Sequence, residues 1–235
     1  MMEPLDHFLQ AATMAPSHHP TEDLLLAYAA GGLDEAMSLV VATHLALCPR
    51  CRAEVTRLEA VGGALIDDLA PAALGAGTLE AVLARLDEPS HDPIPLPVAR
   101  RRPAGPAPVL PEPLRSYVGG DIDRIGWSRT IPGLEEADIV CGDRRRSRVR
   151  MMRIRGGMGM PRHTHHGNEL TLVLAGGFAD ETGHFLRGDL AVTDPSIDHR
   201  PVADDDGDCI CLAVTDAPLR LTGRFLRLLN PFLRL

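Results

Sequence analysis

Residues 157–176 read GMGMPRHTHHGNELTLVLAG, which is Gly157-x5-His163-x-His165-x3-Glu169-x6-Gly176. Residues i and i+2 of a strand point to one face, so His163 and His165 can reach the same ion. Glu169 follows the turn at Gly167-Asn168 and can return a carboxylate to it. Thirty residues later His199 follows Gly188-Asp189 and Pro195. Three imidazoles and one carboxylate suit zinc, iron, manganese, nickel or copper. The competing reading is a histidine-rich surface turn. It is adopted for His166, which should face away from its neighbours, and for His184, which belongs to no cluster.

Around this stretch, from residue 114 onward, lie short strand-like runs: SRVRMMRIR at 147–155, ELTLVLAGG at 169–177, HFLRGDLAV at 184–192 and CICLAVTD at 209–216. Gly, Pro and Asp punctuate them, and strands at that spacing predict an all-β barrel or sandwich. Cys209 and Cys211 face one side of their strand. They are read as small core residues, with oxidant targets beside the metal as the alternative. Trp127 is read as packing. The run RRRSRVR at 144–150 is read as a solvated strand edge, since no aromatics interleave it as in a nucleic-acid surface.

Upstream, residues 87–113 hold nine of the chain's 20 prolines, which excludes helix and central strand and marks a linker. Ahead of the linker the pattern is helical. Thr21 is a candidate N-cap with Glu22 and Asp23 in the first turn, and Gly31 and Gly32 end that helix. Asp34 starts a second helix, DEAMSLVVATHLALC, which ends near Cys48. A third runs through CRAEVTRLEAVGGALIDDL and a fourth covers 78–86. The first 15 or so residues read as a loose arm. Hydrophobic residues make up 45% of the 235, enough for a core in each half. A four-helix unit of fewer than 90 residues nevertheless often needs a covalent or metal cross-link.

Residues 44–51, HLALCPRC, supply the means. His44 and Cys48 lie four apart on one helix face, and Cys48-Pro49-Arg50-Cys51 bends the chain so that two sulfurs can share an ion. A CxxC alone is also a redox pair or two ordinary thiols, but a thioredoxin-like pair needs a βαβ setting that is missing here. His18 or His19 can close the tetrahedron. A closed His2Cys2 shell is structural rather than hydrolytic.

These residues resemble the zinc-binding anti-sigma factors, whose mark is HxxxCxxC between the second and third helices plus a histidine ahead of the first. His44, Cys48 and Cys51 match, and His19, directly before Pro20, matches the upstream ligand. The resemblance implies structural zinc and a clamp on an extracytoplasmic-function-type sigma factor. Residues 1–86 carry 11 acids and 4 arginines, a net of −7 out of −8 for the chain. Such a surface disfavours direct nucleic-acid binding and favours a basic partner.

Residues 157–176 in turn resemble the first cupin motif, with His163, His165 and Glu169 as ligands. His199 resembles the histidine of the second motif, although Ser196-Ile197-Asp198 stands where a glycine is expected. Together the two halves resemble the ChrR family of cupin-bearing zinc anti-sigma factors. The resemblance implies a multi-domain α plus β chain: an anti-sigma domain at 1–86, a linker at 87–113 and a cupin barrel at 114–235. It further implies release of the partner on an oxidant signal, singlet oxygen or organic peroxide, sensed at zinc or another divalent transition metal in the barrel. The alternative is a metal-dependent cupin oxygenase or isomerase with a helical appendage. The acidic HxxxCxxC domain weighs against it, and so does an aromatic content of 3%, poor material for an apolar substrate pocket. No apolar run of 18 residues exists to span a membrane, the N-terminus lacks signal-peptide character, and five cysteines suit a reducing compartment, so a cytoplasmic location is expected.

Overall fold

The computed structural model describes residues 15–86, 88, 107–142 and 147–223. The expected N-terminal arm, most of the linker and Arg144–Arg146 fall outside these. Four helices come first: α1 (Glu22–Ala29), α2 (Glu35–Leu47), α3 (Pro49–Asp67) and α4 (Thr78–Leu86). The Thr21 hydroxyl accepts from Leu24 N–H at 3.3 Å and the Asp34 carboxylate from Met37 N–H at 2.8 Å. Both are N-caps that satisfy helix-end donors, as the sequence predicts. A fifth helix, α5 (Glu112–Val118), starts on the last two residues of the expected linker and runs into the segment expected to hold only strands. Pro111 is its N-cap residue and Pro113 sits in its first turn, positions where a missing N–H costs no hydrogen bond. Leu110 and Leu114 beside it are fully buried.

The β half is antiparallel throughout. Its strands are β1 (Ser128–Ile131), β2 (Leu134–Ile139), β3 (Arg148–Ile154), β4 (His163–His165), β5 (Glu169–Ala175), β6 (Gly177–Asp180), β7 (Gly183–Leu186), β8 (Leu190–Thr193), β9 (Val202–Ala203), β10 (Cys209–Thr215) and β11 (Leu219–Leu221). A six-stranded sheet runs β1-β2-β3-β10-β5-β8, with smaller sheets β11-β4 and β7-β6-β9. The run at 184–192 is two strands rather than one. Gly188, at φ 93°, turns the chain between β7 and β8, and a Cβ there would lie 2.7 Å from the Pro16 ring.

Both faces of the large sheet are buried, and alternation divides their side chains. Leu170, Leu172 and Leu174 of β5 and Ile210, Leu212 and Val214 of β10 share one core with Leu39, Val40, Val41 and Leu45 of α2. Val173, Cys209 and Cys211 point the other way, into a second core with Phe178 and Phe185. This explains why all seven residues of β10 are buried. The linker therefore does not keep these helices apart from the barrel: α2 is the cover of the sheet. A helix that is apolar on every side, as EAMSLVVATHLAL nearly is, must be packed on more than one.

Grouped by contacts, Met1–Ala60 with Pro108–Leu235 forms one compact unit and Val61–Ala107 another. In the second, every residue from Val61 to Leu86 is exposed.

Candidate metal centres

His44 sits in the last turn of α2, Cys48 is the residue that ends that helix, and Cys51 lies in the first turn of α3. Pro49 lets the two helices abut, because the first residue of a helix needs no N–H donor. Cys51 N–H donates to Cys48 Sγ at 3.4 Å. His19 Nδ1 lies 3.5 Å from Cys48 Sγ and 3.4 Å from Cys51 Sγ. His44 Nδ1 stands 2.8 Å from the Gly188 carbonyl, which can only accept, so Nδ1 carries the proton. That leaves His44 Nε2, buried and without another partner, as the atom facing the cysteines. The four ligand atoms lie within 4.8 Å of one another. Tetrahedral zinc, with Zn–S of about 2.3 Å and Zn–N of about 2.0–2.1 Å, needs ligand separations of about 3.4–3.8 Å. The residues fit that ion.

Electrostatics agree with the fit. Burial pushes the His44 imidazole down to about 4 and the Cys51 thiol up to about 12. Burial, then the neighbouring Arg50, also lowers His19. Imidazoles held neutral are ready ligands, and buried thiols need a cation before they ionise. His18 does not join the set. Its backbone N–H donates to Asp189 Oδ1 at 2.9 Å and its ring packs at a tilt against Phe185.

In the barrel, His163 and His165 flank Thr164 on β4 and Glu169 opens β5. His199 is bound to His163 by two backbone hydrogen bonds of 3.0 Å, so the missing glycine of its motif leaves its placement intact. His163 Nδ1 donates to the Pro161 carbonyl at 2.7 Å, and His199 Nδ1 to the buried Asp180 carboxylate, also at 2.7 Å. Each bond fixes a tautomer with Nε2 turned inward. His165 Nε2 lies 3.4 Å from His199 Nε2 and 3.2 Å from Glu169 Oε2. These four residues also bring their ligand atoms within 4.8 Å of one another. The spacing suits a first-row divalent ion with N/O bonds of about 2.0–2.2 Å. Burial opposes ionisation of Glu169, but the His165 hydrogen bond and the surrounding imidazoles outweigh it and keep its pKa lowered.

A cavity of about 320 Å3 opens onto this cluster, walled by Ile131, Leu134, Met152, Met160, Phe178 and Leu221. Aliphatic and thioether side chains thus build the apolar pocket that a scarcity of aromatics had argued against. Arg150 also lines it, buried and paired with Glu136 at 3.2 Å. The reading of 144–150 as a solvated edge is therefore corrected at Arg150, which β3, an interior strand of the sheet, turns inward, while Arg144–Arg146 lie outside the described residues. Arg148, half-buried at the start of the strand, pairs with Asp138 on the neighbouring strand. Cys211 lines the cavity and its sulfur lies 3.4 Å from that of Cys209, both buried in the inner core. Trp127 packs against the outer core under Arg153. His166 is exposed, and so is His184, which pairs with Asp204 at 2.9 Å.

Sequence reasoning missed Arg150, Glu136, Asp180 and Asp189. Only Asp189, after a glycine that invites a turn, carried any local signal.

Comparison with known proteins gives the same two-part picture. Residues 116–218 match the family model described as ChrR Cupin-like domain, and residues 20–52 match that of a putative zinc-finger. The chain is 46% identical over 222 residues to the anti-sigma-E factor ChrR of Cereibacter sphaeroides, covering 94% of this chain and all of that protein. It also superimposes on a chain of the crystal structure of Rhodobacter sphaeroides SigE in complex with the anti-sigma ChrR, with a TM-score of 0.72 and 44% identity. That match covers 86% of this chain and 100% of the other.

Proposed function

The chain belongs to the ChrR family of anti-sigma factors, regulators rather than enzymes, and from that premise we propose that it sequesters an extracytoplasmic-function-type sigma factor and releases it on an oxidant signal. The observation that carries the first half is the surface of Val61–Leu86. Val61, Leu65, Ile66 and Leu69 on α3 and Leu79, Val82, Leu83 and Leu86 on α4 are each more than half exposed. So many large apolar side chains left exposed in 26 residues suit a surface that a partner covers. The surrounding acidity suits a basic one, as sigma factors must be to meet DNA and polymerase. The same partner supports a cytoplasmic location. Among the described residues no helix is long and apolar enough to cross a membrane.

In this reading zinc held by His19, His44, Cys48 and Cys51 cross-links α2, α3 and the chain ahead of α1. His163, His165, Glu169 and His199 hold zinc or another divalent metal, which supplies exchangeable coordination positions to an oxygen ligand. The chain's own part is to hold three imidazoles and a carboxylate in place, and to line the approach with apolar groups. A cavity of about 320 Å3 far exceeds a diatomic molecule, which favours an organic peroxide over singlet oxygen itself as occupant. A ligand with no differential affinity for two states shifts nothing, so occupancy must favour the released form. A sigma-dependent reporter in cells carrying Glu169→Ala is the test. Repression should persist while induction by singlet oxygen and organic peroxide is lost. Induction as full as in wild type would sink the sensor role of this site.

A further inference from the structure

One short stretch of the barrel supports both metal clusters. At the tip of the β6–β7 hairpin, Asp180 accepts His199 Nδ1–H with one oxygen. With its other oxygen it accepts Thr182 N–H at 2.8 Å and Gly183 N–H at 3.3 Å, which closes the hairpin turn. Phe178 and Phe185, paired across the hairpin, stack at 5.0 Å, and Phe178 lines the cavity. The His18 ring packs at a tilt against Phe185, centroid to centroid 4.4 Å.

β7 is four residues long, about 13 Å. Beyond it comes Arg187-Gly188-Asp189. The Gly188 carbonyl accepts His44 Nδ1–H. Asp189 Oδ1 accepts Ser17 N–H at 2.6 Å and His18 N–H at 2.9 Å, and Leu190 N–H donates to the His18 carbonyl at 3.2 Å. Arg187 donates to the Val109 carbonyl at 3.1 Å, anchoring the chain ahead of α5 to the same turn. Two of the four residues of the helical cluster, His19 and His44, are therefore held by the barrel, and Cys48 and Cys51 by the helices.

We infer that Asp180, Gly188 and Asp189 are positioning residues through which occupancy of the barrel site sets how tightly the helical site holds its metal. The inference rests on the two metal sites proposed above. A metal in the barrel fixes His199, His199 fixes Asp180 and the hairpin, and the hairpin carries the turn against which His19 and His44 are set. Binding at two sites coupled this way is reciprocal. A change of several-fold in so tight a site leaves it filled, so the resting protein still represses its partner.

Cobalt(II) substitution makes the coupling measurable in the full-length protein, because thiolate-to-cobalt absorption arises only at the site with cysteines. Loss of that band to excess chelator should be at least fivefold faster in Glu169→Ala than in wild type. Asp180→Asn and Asp189→Asn, each conserving shape, should also be faster. Adding Glu169→Ala to either should change the rate less than it changes wild type, the sign of a shared path. Equal rates in wild type and Glu169→Ala overturn the inference, and so does full additivity in the doubles. Circular dichroism of each variant separates loss of fold from loss of coupling, and Glu169→Ala against wild type decides the question even if an Asp189 variant does not fold. Repression of a sigma factor is scored on the same samples. Repression with equal rates sinks the coupling and leaves the anti-sigma reading standing.

Discussion

His44 presents one ring nitrogen to two cysteines and the other to a carbonyl of the barrel, and its protonation state governs both. Cys48→Ser or Cys51→Ser should release zinc and free the partner, since the binding energy of a structural ion is largely folding energy. Circular dichroism before and after chelation is the measurement, and a helical signal that survives unchanged would show the ion is dispensable. Acid should act in the same direction. In metal-free protein, burial holds His44 at about 4 and keeps His19 and His163 below the ordinary imidazole value of 6.5. The unfolded chain then binds more protons than the folded one as pH falls through 6.5, so stability rises with pH across that window and is lost toward 4. The melting temperature of chelated protein should fall between pH 7 and pH 5. A flat profile would mean these imidazoles are not buried neutral.

At the level of elements, α2 is the member on which both halves depend. Its Leu39, Val40, Val41 and Leu45 lie in one core with Leu172 and Leu212 of the sheet. Leu212 is fully buried, and Leu212→Ala should cost about 2–5 kcal/mol through lost burial and a residual cavity. Urea unfolding followed by both tryptophan fluorescence and helical dichroism should show the two signals falling together at a lower midpoint. Separate transitions would show that helices and sheet do not share a core. For the same reason residues 1–86 alone, expected to suffice for partner binding, should expose one side of α2. That fragment should repress its partner yet melt lower than the full chain, and failure to repress would assign part of the clamp to the barrel.

For the whole molecule, the apolar surface of Val61–Leu86 decides partner binding. Leu65→Asp combined with Leu69→Asp removes two residues exposed at 66% and 68%. Fold stability should change by no more than about 0.5 kcal/mol per site, as for surface positions generally. Affinity for the sigma factor should drop about 30-fold or more, the loss expected when an interface anchor worth about 2 kcal/mol is removed. Titration calorimetry with the purified partner reads it, and unchanged affinity would move the interface elsewhere.

Local chemistry made much of this legible from the sequence alone. The caps at Thr21 and Asp34, the HxxxCxxC spacing and the HxHxxxE spacing each involve residues a few positions apart, where strand and helix geometry dictate which side chains meet. For the fourth member of the helical set the residues offered His18 or His19 and resemblance chose His19, while His199 was grouped with His163, His165 and Glu169 from the residues; the structure brings each beside its set. Proline content obscured α5, because in a first turn the residue that breaks helices does no harm. What only the tertiary structure decided are the contacts between segments far apart in the chain. Arg150 and Glu136 meet inside the barrel through strand pairing, and Asp180 reaches His199 across a hairpin. Gly188 and Asp189 reach His44 and His18 more than 140 residues away. No periodicity encodes such meetings. Those between the barrel and the helices follow from α2 being apolar on all sides, which obliges it to bury a second face, and the face available is the outer side of the barrel sheet.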